Sequence, residues 1–294
     1  MKLQTPVADA ECKVGISYTD KITMLGSCFS DNVGKQLKDY GFDVCANPFG
    51  TLYNPVSIQK SISRLVHGQP FTEEDCIQIG AGDERFCSFS HHTSFARSSK
   101  NEFLENANTA LESAVKHFAE STKVIITLGT SWCFKHVENG EVVSNCLKRP
   151  AAEFERVRLS SALTNNLLAQ LIDECKNAES ENFKHKEFIF TVSPIRHFKD
   201  GAHGNQISKA GLLLGIEDSL DIEGTDYFPS YEIMMDELRD YRFYAEDMCH
   251  PTSQAVDYIC ERFLAWALPA EEHPVLESKI REYKKSRHIQ GPRK

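Results

Sequence analysis

Four short segments hold most of the residues that could do covalent or acid–base chemistry: Gly26-Ser27-Cys28-Phe29, Asn47-Pro48-Phe49-Gly50, Gly129-Thr130-Ser131-Trp132 and Asp247-Met248-Cys249-His250-Pro251. The first puts a hydroxyl and a thiol where an apolar run breaks into a helical pattern. A nucleophile on so tight a turn is exposed, and the helix N-terminus favours its anion, which for Cys28 predicts a depressed pKa and more thiolate. The last puts a carboxylate three residues ahead of a histidine. On one turn Asp247 can accept from the Nδ1–H of His250, fixing the tautomer and leaving Nε2 as a general base. A further polar cluster runs from Ser193 through Arg196 and His197 to Asp200, His203, Asn205 and Ser208. There Arg196 can hold an anionic substrate group bidentately, and His197, His203 and Asn205 can shape a pocket.

These segments act together only if the chain brings them to one edge. Residues 21–25 are an apolar run ending at Gly26, followed by Val33, Leu37 and Tyr40 at helical spacing and then Gly41, which reads as strand, sharp turn, helix. Residues 42–46 form a second strand, and Asn54-Pro55 supplies an N-cap and first-turn proline for a helix stopped by Gly68. Strands are expected again at residues 124–128, 188–192 and 225–228, with helices through Phe103 and Phe118, through Leu163 and Cys175, over residues 208–216, and after Thr252. Two stretches break the alternation, one near 76–95 and one near 132–146, the latter carrying the hairpin dipeptide Asn139-Gly140. The predicted architecture is three-layer αβα, a mainly parallel five-strand sheet covered on both faces, in a single domain over 1–268 with loop and hairpin insertions. Such sheets bind ligands beyond the carboxyl ends of their strands, where all the polar segments fall.

A nucleophile after the first strand and Asp-x-x-His-Pro before the last helix resemble the SGNH/GDSL hydrolase superfamily. The Gly26-Ser27-Cys28-Phe29 stretch is most similar to its GSCFA branch, and the resemblance covers about residues 20–266. It implies a flavodoxin-like core, His250 as base and Asp247 as its orienter. It also implies that Gly50 is the second-block glycine whose N–H joins the nucleophile's own in an oxyanion hole, and that Ser131 stands where the third block has its oxyanion-hole asparagine. Cys28 occupies the position of the usual nucleophilic serine and Ser27 that of the usual aspartate. Register with the glycine before and the aromatic after favours Cys28, with Ser27 as the alternative. The activity expected is that of an esterase or acyl-transfer hydrolase on a small acyl ester. The alternative, motivated by serine in place of asparagine at 131, is a ligand-binding protein that has lost turnover.

Composition narrows the partners. Against 42 Asp+Glu stand 33 Lys+Arg, a net charge of −9 that disfavours nucleic acid and anionic lipid. The exception is the segment 269–294, where Lys279, Arg281, Lys284, Lys285, Arg287, Arg293 and Lys294 read as a solvated basic terminal helix. No apolar run approaches a membrane span, and the opening MKLQTPVADAECK lacks a signal-peptide pattern, so the cytoplasm is expected. Ten cysteines without a CxxC argue against a disulfide framework or zinc ribbon, and the spacing of His91, His92, His197, His203, Cys249 and His250 is not that of a zinc helix. No metal is expected. Without a glycine-rich phosphate loop no nucleotide cofactor is expected either. The sequence leaves the oligomeric state open, a homo-oligomer included.

Overall fold

A computed structural model describes residues 5–8 and 10–289, with side chains through residue 286. Strand Lys21–Gly26 (β1), helix Cys28–Asp39 (α1), strand Asp43–Ala46 (β2) and helix Pro55–His67 (α2) come first. A hairpin of Ile77–Gln78 (β3) and Phe86–Cys87 (β4) precedes helix Lys100–Glu120 (α3) and strand Lys123–Leu128 (β5). Trp132–His136 (β6), Val142–Val143 (β7) and Phe154–Arg158 (β8) form a separate antiparallel sheet in the order β7-β6-β8. Then follow helix Ser161–Lys176 (α4), strand Glu187–Val192 (β9), helix Gly201–Glu217 (α5) and strand Thr225–Tyr227 (β10). Short helix Ser230–Glu232 (α6) runs into a π-helical turn at Ile233–Glu237, before helices Ser253–Ala267 (α7) and His273–Ile289 (α8).

The central sheet has the order β10-β9-β5-β1-β2, and every pairing is parallel. In β1 and β5 every residue after the opening lysine is buried, as strands covered on both faces require. Side chains alternate between two cores. Val124, Ile126 and Leu128 join the core under α2 to α5, while Ile125 joins Met24, Val33 and Phe263 in the core under α1 and α7. Register levels the carboxyl ends, because Gly26 pairs with Thr127 and Thr127 with Thr191. The segments after β1, β5 and β9 therefore leave the sheet side by side, and the candidate site is assembled there.

The two irregular stretches flank that edge. The first is pinned to the loop after β2 by His92 N–H donating to Phe49 O at 3.0 Å. The second is a three-stranded sheet, one strand more than the hairpin expected, tied to the start of α5 by Arg156 on Asp200 at 2.7 Å and by Trp132 Nε1–H on Gly204 O at 3.2 Å. Helix α5 begins at Gly201, two turns before the expected start at 208. Its first turns bury Asn205, Ser208 and Lys209, polar groups satisfied by the strand ends, so no apolar period marks them in the sequence. The basic terminal helix also differs from its solvated reading: Leu276 is in the core and Tyr283 packs edge-on to Tyr40 at 5.9 Å. Arg293, Lys294 and the side chain of Arg287 lie outside the described residues. All ten cysteines are free. Among the described residues no helix is long and apolar enough to cross a membrane, and no group of three or more His, Cys, Asp or Glu is placed to hold a metal ion.

Candidate active site

The nucleophile turn depends on a glycine. Gly26 has φ +145, and a Cβ there would sit 2.2 Å from Thr127 O, so β1 can leave β5 at this point only without a side chain. Ser27 then N-caps α1: its Oγ accepts from Phe29 N–H at 3.3 Å and donates to Ser193 Oγ at 3.0 Å, and the residue is fully buried. The alternative nucleophile is thus enclosed as a bolt between the exits of β1 and β9. Cys28, the first residue of α1, is half-buried, with the N–H groups of Cys28 and Phe29 facing its sulfur. Burial nevertheless pushes the thiol above its ordinary value, and the carboxylates of Asp31 and Asp247 add to the rise. This reverses the depressed pKa expected from the helix end, because desolvation and neighbouring anions outweigh two N–H dipoles.

The histidine loop is built around one carboxylate. Asp247 Oδ1 accepts the N–H groups of Cys249 and His250, each at 2.9 Å, and Oδ2 meets His250 Nδ1 at 2.5 Å. These bonds, the backbone ones foremost, hold Asp247 down at about 2, so it is ionised throughout the neutral range. Met248 takes a left-handed φ of 56 to let the loop double back, and Ala245 N–H closes it on His250 O at 2.8 Å. Arg196 N–H ties it to the exit of β9 through Cys249 O at 3.1 Å. His250 Nδ1 is committed and the ring is about half exposed, which leaves Nε2 for a substrate or a nucleophile. Among the described residues no hydrogen bond joins Cys28 Sγ to His250, although Asp247 is close enough for its charge to act on the thiol.

The two oxyanion donors implied by the resemblance are placed otherwise. Gly50 N–H is spent on Asn47 O at 2.8 Å, closing a tight turn in which Gly50 has φ +79. Ser131 is fully buried, and its Oγ and N–H both donate to Ser208 Oγ, at 3.3 and 2.8 Å, beneath the crevice. A serine is too short to reach past that helix contact. Cys28 N–H remains beside the sulfur; Thr51 N–H has no acceptor among the described residues, and Leu52 N–H on Gly26 O at 2.8 Å lays its segment along the nucleophile turn. Gly50 remains essential to shape, since a Cβ would fall 2.3 Å from His92 Cβ. Gly50→Ala is expected to lower unfolding free energy by about 2 kcal/mol or more in urea titrations, the sum of left-handed strain and overpacking.

At the exit of β9, Arg196 lies between the rings of Phe198 and Tyr244, at 4.2 and 5.1 Å. His197 faces Tyr53 edge-on at 6.0 Å, and its N–H donates to Asn205 Oδ1 at 2.9 Å. Burial, then the charge of Lys209, brings His197 down to about 3. Asn205 is buried and positions this loop, whereas His203 is exposed on the first turn of α5. Arg196, His197 and Asn205 therefore meet beside the histidine loop, and the His203 side chain makes no hydrogen bond among the described residues.

Residues 21–263 match the profile of the GSCFA family. The chain belongs to the GSCFA family. No curated protein matches it. Among solved structures it is similar to an acetyl xylan esterase, Est2A, from the rumen bacterium Butyrivibrio proteoclasticus, at 10% identity and a TM-score of 0.42. That match covers 85% of this chain and 64% of the other, so the chain spans less than two thirds of that protein's length. This GSCFA protein has two further groups at the crevice, in segments the sequence singles out but to which it assigns no role. Asn47, at φ 46, accepts Gly26 N–H on Oδ1 at 2.8 Å and donates from Nδ2 to Asp31 at 2.7 Å, buttressing the nucleophile turn. Its signal is an asparagine directly after a strand, one of the few residue types that tolerate a left-handed backbone. Lys209 is fully buried and donates to Gly129 O and Ser193 O, both at 2.7 Å, tying the ends of β5 and β9 together. Burial draws this ammonium down to about 7.

Proposed function

We propose that this GSCFA protein cleaves or transfers the acyl group of a small ester, with Cys28 as nucleophile, His250 as general base and Asp247 as its orienter. The observation that carries the reading is the Asp247–His250 pair, a carboxylate held by two backbone N–H groups and bonded to Nδ1 at 2.5 Å, on a loop beside the N-terminus of α1. With its pKa raised, Cys28 rests as a thiol. His250 Nε2 then takes the proton as sulfur attacks the carbonyl carbon, a contact made when substrate draws the two together. The developing oxyanion receives the N–H groups of Cys28 and Thr51. His250 returns its proton to the leaving oxygen, and water or another hydroxyl, deprotonated by the same ring, releases the acyl group from sulfur. The order of segments, similar to that of SGNH/GDSL hydrolases, supports the same roles.

The commitments of Gly50 N–H and the Ser131 hydroxyl favour a second reading, a binding protein that keeps the crevice without turnover. Assays of purified protein on short acyl esters and thioesters, beside His250→Ala, separate the two. Turnover lost in the variant is the expected result. Saturable binding of the esters with no turnover in either protein favours the binding protein.

A further inference from the structure

Next to the histidine loop, Arg196, Met234, Met235, Arg239, Tyr241 and Tyr244 line an open pocket of about 430 Å³. Its shape comes from the π-helical turn Ile233–Glu237, where the wider winding sends Ile233, Met234 and Glu237 into the core and leaves Met235 at the pocket wall. Tyr244 O–H donates to Met235 Sδ at 3.5 Å, and the Tyr244 backbone pairs with Pro251, one residue past His250. The floor is therefore apolar and physically continuous with the loop that carries His250.

Two arginines line this floor. Arg196 is fixed between the Phe198 and Tyr244 rings, and neither it nor Arg239 has a carboxylate within ion-pair distance among the described residues. Of the two acids at the same pocket, Asp240 is occupied by Arg242, accepting its N–H at 2.9 Å and facing its guanidinium at 3.8 Å. Asp236 is exposed at the edge. One carboxylate thus stands against two arginines, in a chain where acids outnumber bases by nine. A guanidinium packed on two rings and not paired to a carboxylate keeps its fork of donors available for a planar anion. We propose that this pocket takes a carboxylate carried on an apolar stem, so that the favoured substrates are esters with a second, free carboxylate, such as hemi-esters of dicarboxylic acids. The proposal rests on the esterase reading for its substrate but not for its binding site.

The test has two arms. In the first, kcat/KM is compared for a hemi-ester and the neutral ester of equal length with the same alcohol. The wild type is expected to prefer the anion, and Arg239→Gln, at an exposed position, to cut that preference about tenfold or more, the scale of one charge-assisted hydrogen bond. In the second, binding of phenylacetate and phenyl phosphate is measured by calorimetry on wild type, Arg196→Gln and Arg239→Gln. Phenylacetate binding that is lost in both variants supports the pocket even if no ester is turned over, which separates its fate from that of the esterase. Equal turnover of both esters by the wild type, phenylacetate binding untouched by either substitution, or binding of phenyl phosphate alone overturns it.

Discussion

His250→Ala and Cys28→Ala are each expected to lower turnover of a short acyl ester by about 10³-fold or more, and the double variant to fall little further, because the members of one nucleophile–base unit fail together. Cys28→Ser keeps a nucleophile at the same turn and should retain measurable esterase activity. Ser27→Ala is predicted to behave differently from all three. Its hydroxyl caps α1 and bonds Ser193 within the core, so the loss is one of stability, about 1–2 kcal/mol, with kcat largely kept. The raised thiol adds a pH signature: alkylation of Cys28 by iodoacetamide in the free protein should climb only above the ordinary thiol range near ~8.5. Full activity in Cys28→Ala with none in Ser27→Ala would move the nucleophile to Ser27. Full activity in both removes it from this turn.

The backbone of this site was legible because its signals are local. An apolar run ending in glycine, an Asn-Pro helix start and Asp-x-x-His each constrain a few consecutive residues, and β1, α2 and the Asp247 turn follow from them. What was not legible depends on residues far apart in the chain. The pKa of Cys28 is raised first by burial, then by Asp31 one turn on and last by Asp247; the burial is made by segments that meet only in the fold, and no local rule about helix ends contains it. Ser131 shows the same limit. Its position after β5 is right for a donor, but its rotamer is decided by Ser208 on α5, a helix whose first turns have no apolar stripe to announce them. Strand β8 was missed for a related reason: it is short and only half-buried, so it lacks the alternation that marks a strand.

Acidification should unfold the protein through two histidines buried in neutral form. His91 is fully buried among the rings of Phe49, Phe71, Phe95 and Phe103, with centroids 4.4 to 5.7 Å away. Its Nδ1 bonds Ser88 Oγ at 2.7 Å, while Nε2 has no partner among the described residues. Burial, helped by Arg64, brings it down to about 3, and His197 is brought down to about 3 as well. Unfolded, each returns to about 6.5, so between that value and 3 the unfolded chain binds protons that the native state refuses. Stability therefore rises with pH in this window and is lost as pH falls through it, by up to about 1.4 kcal/mol per pH unit for each histidine. Two such groups remove roughly 5 kcal/mol between pH 6.5 and 4.5, comparable to the whole stability of many domains. His91→Phe keeps an aromatic ring in the cage and should about halve the slope of unfolding free energy against pH. Urea midpoints at pH 7, 6 and 5 measure it, and equal midpoints in the wild type would sink the argument. The loss bears on the crevice, because the His91 ring backs Phe49 and the next residue, His92, packs on Gly50, so protonating this cage loosens the turn that carries Gly50.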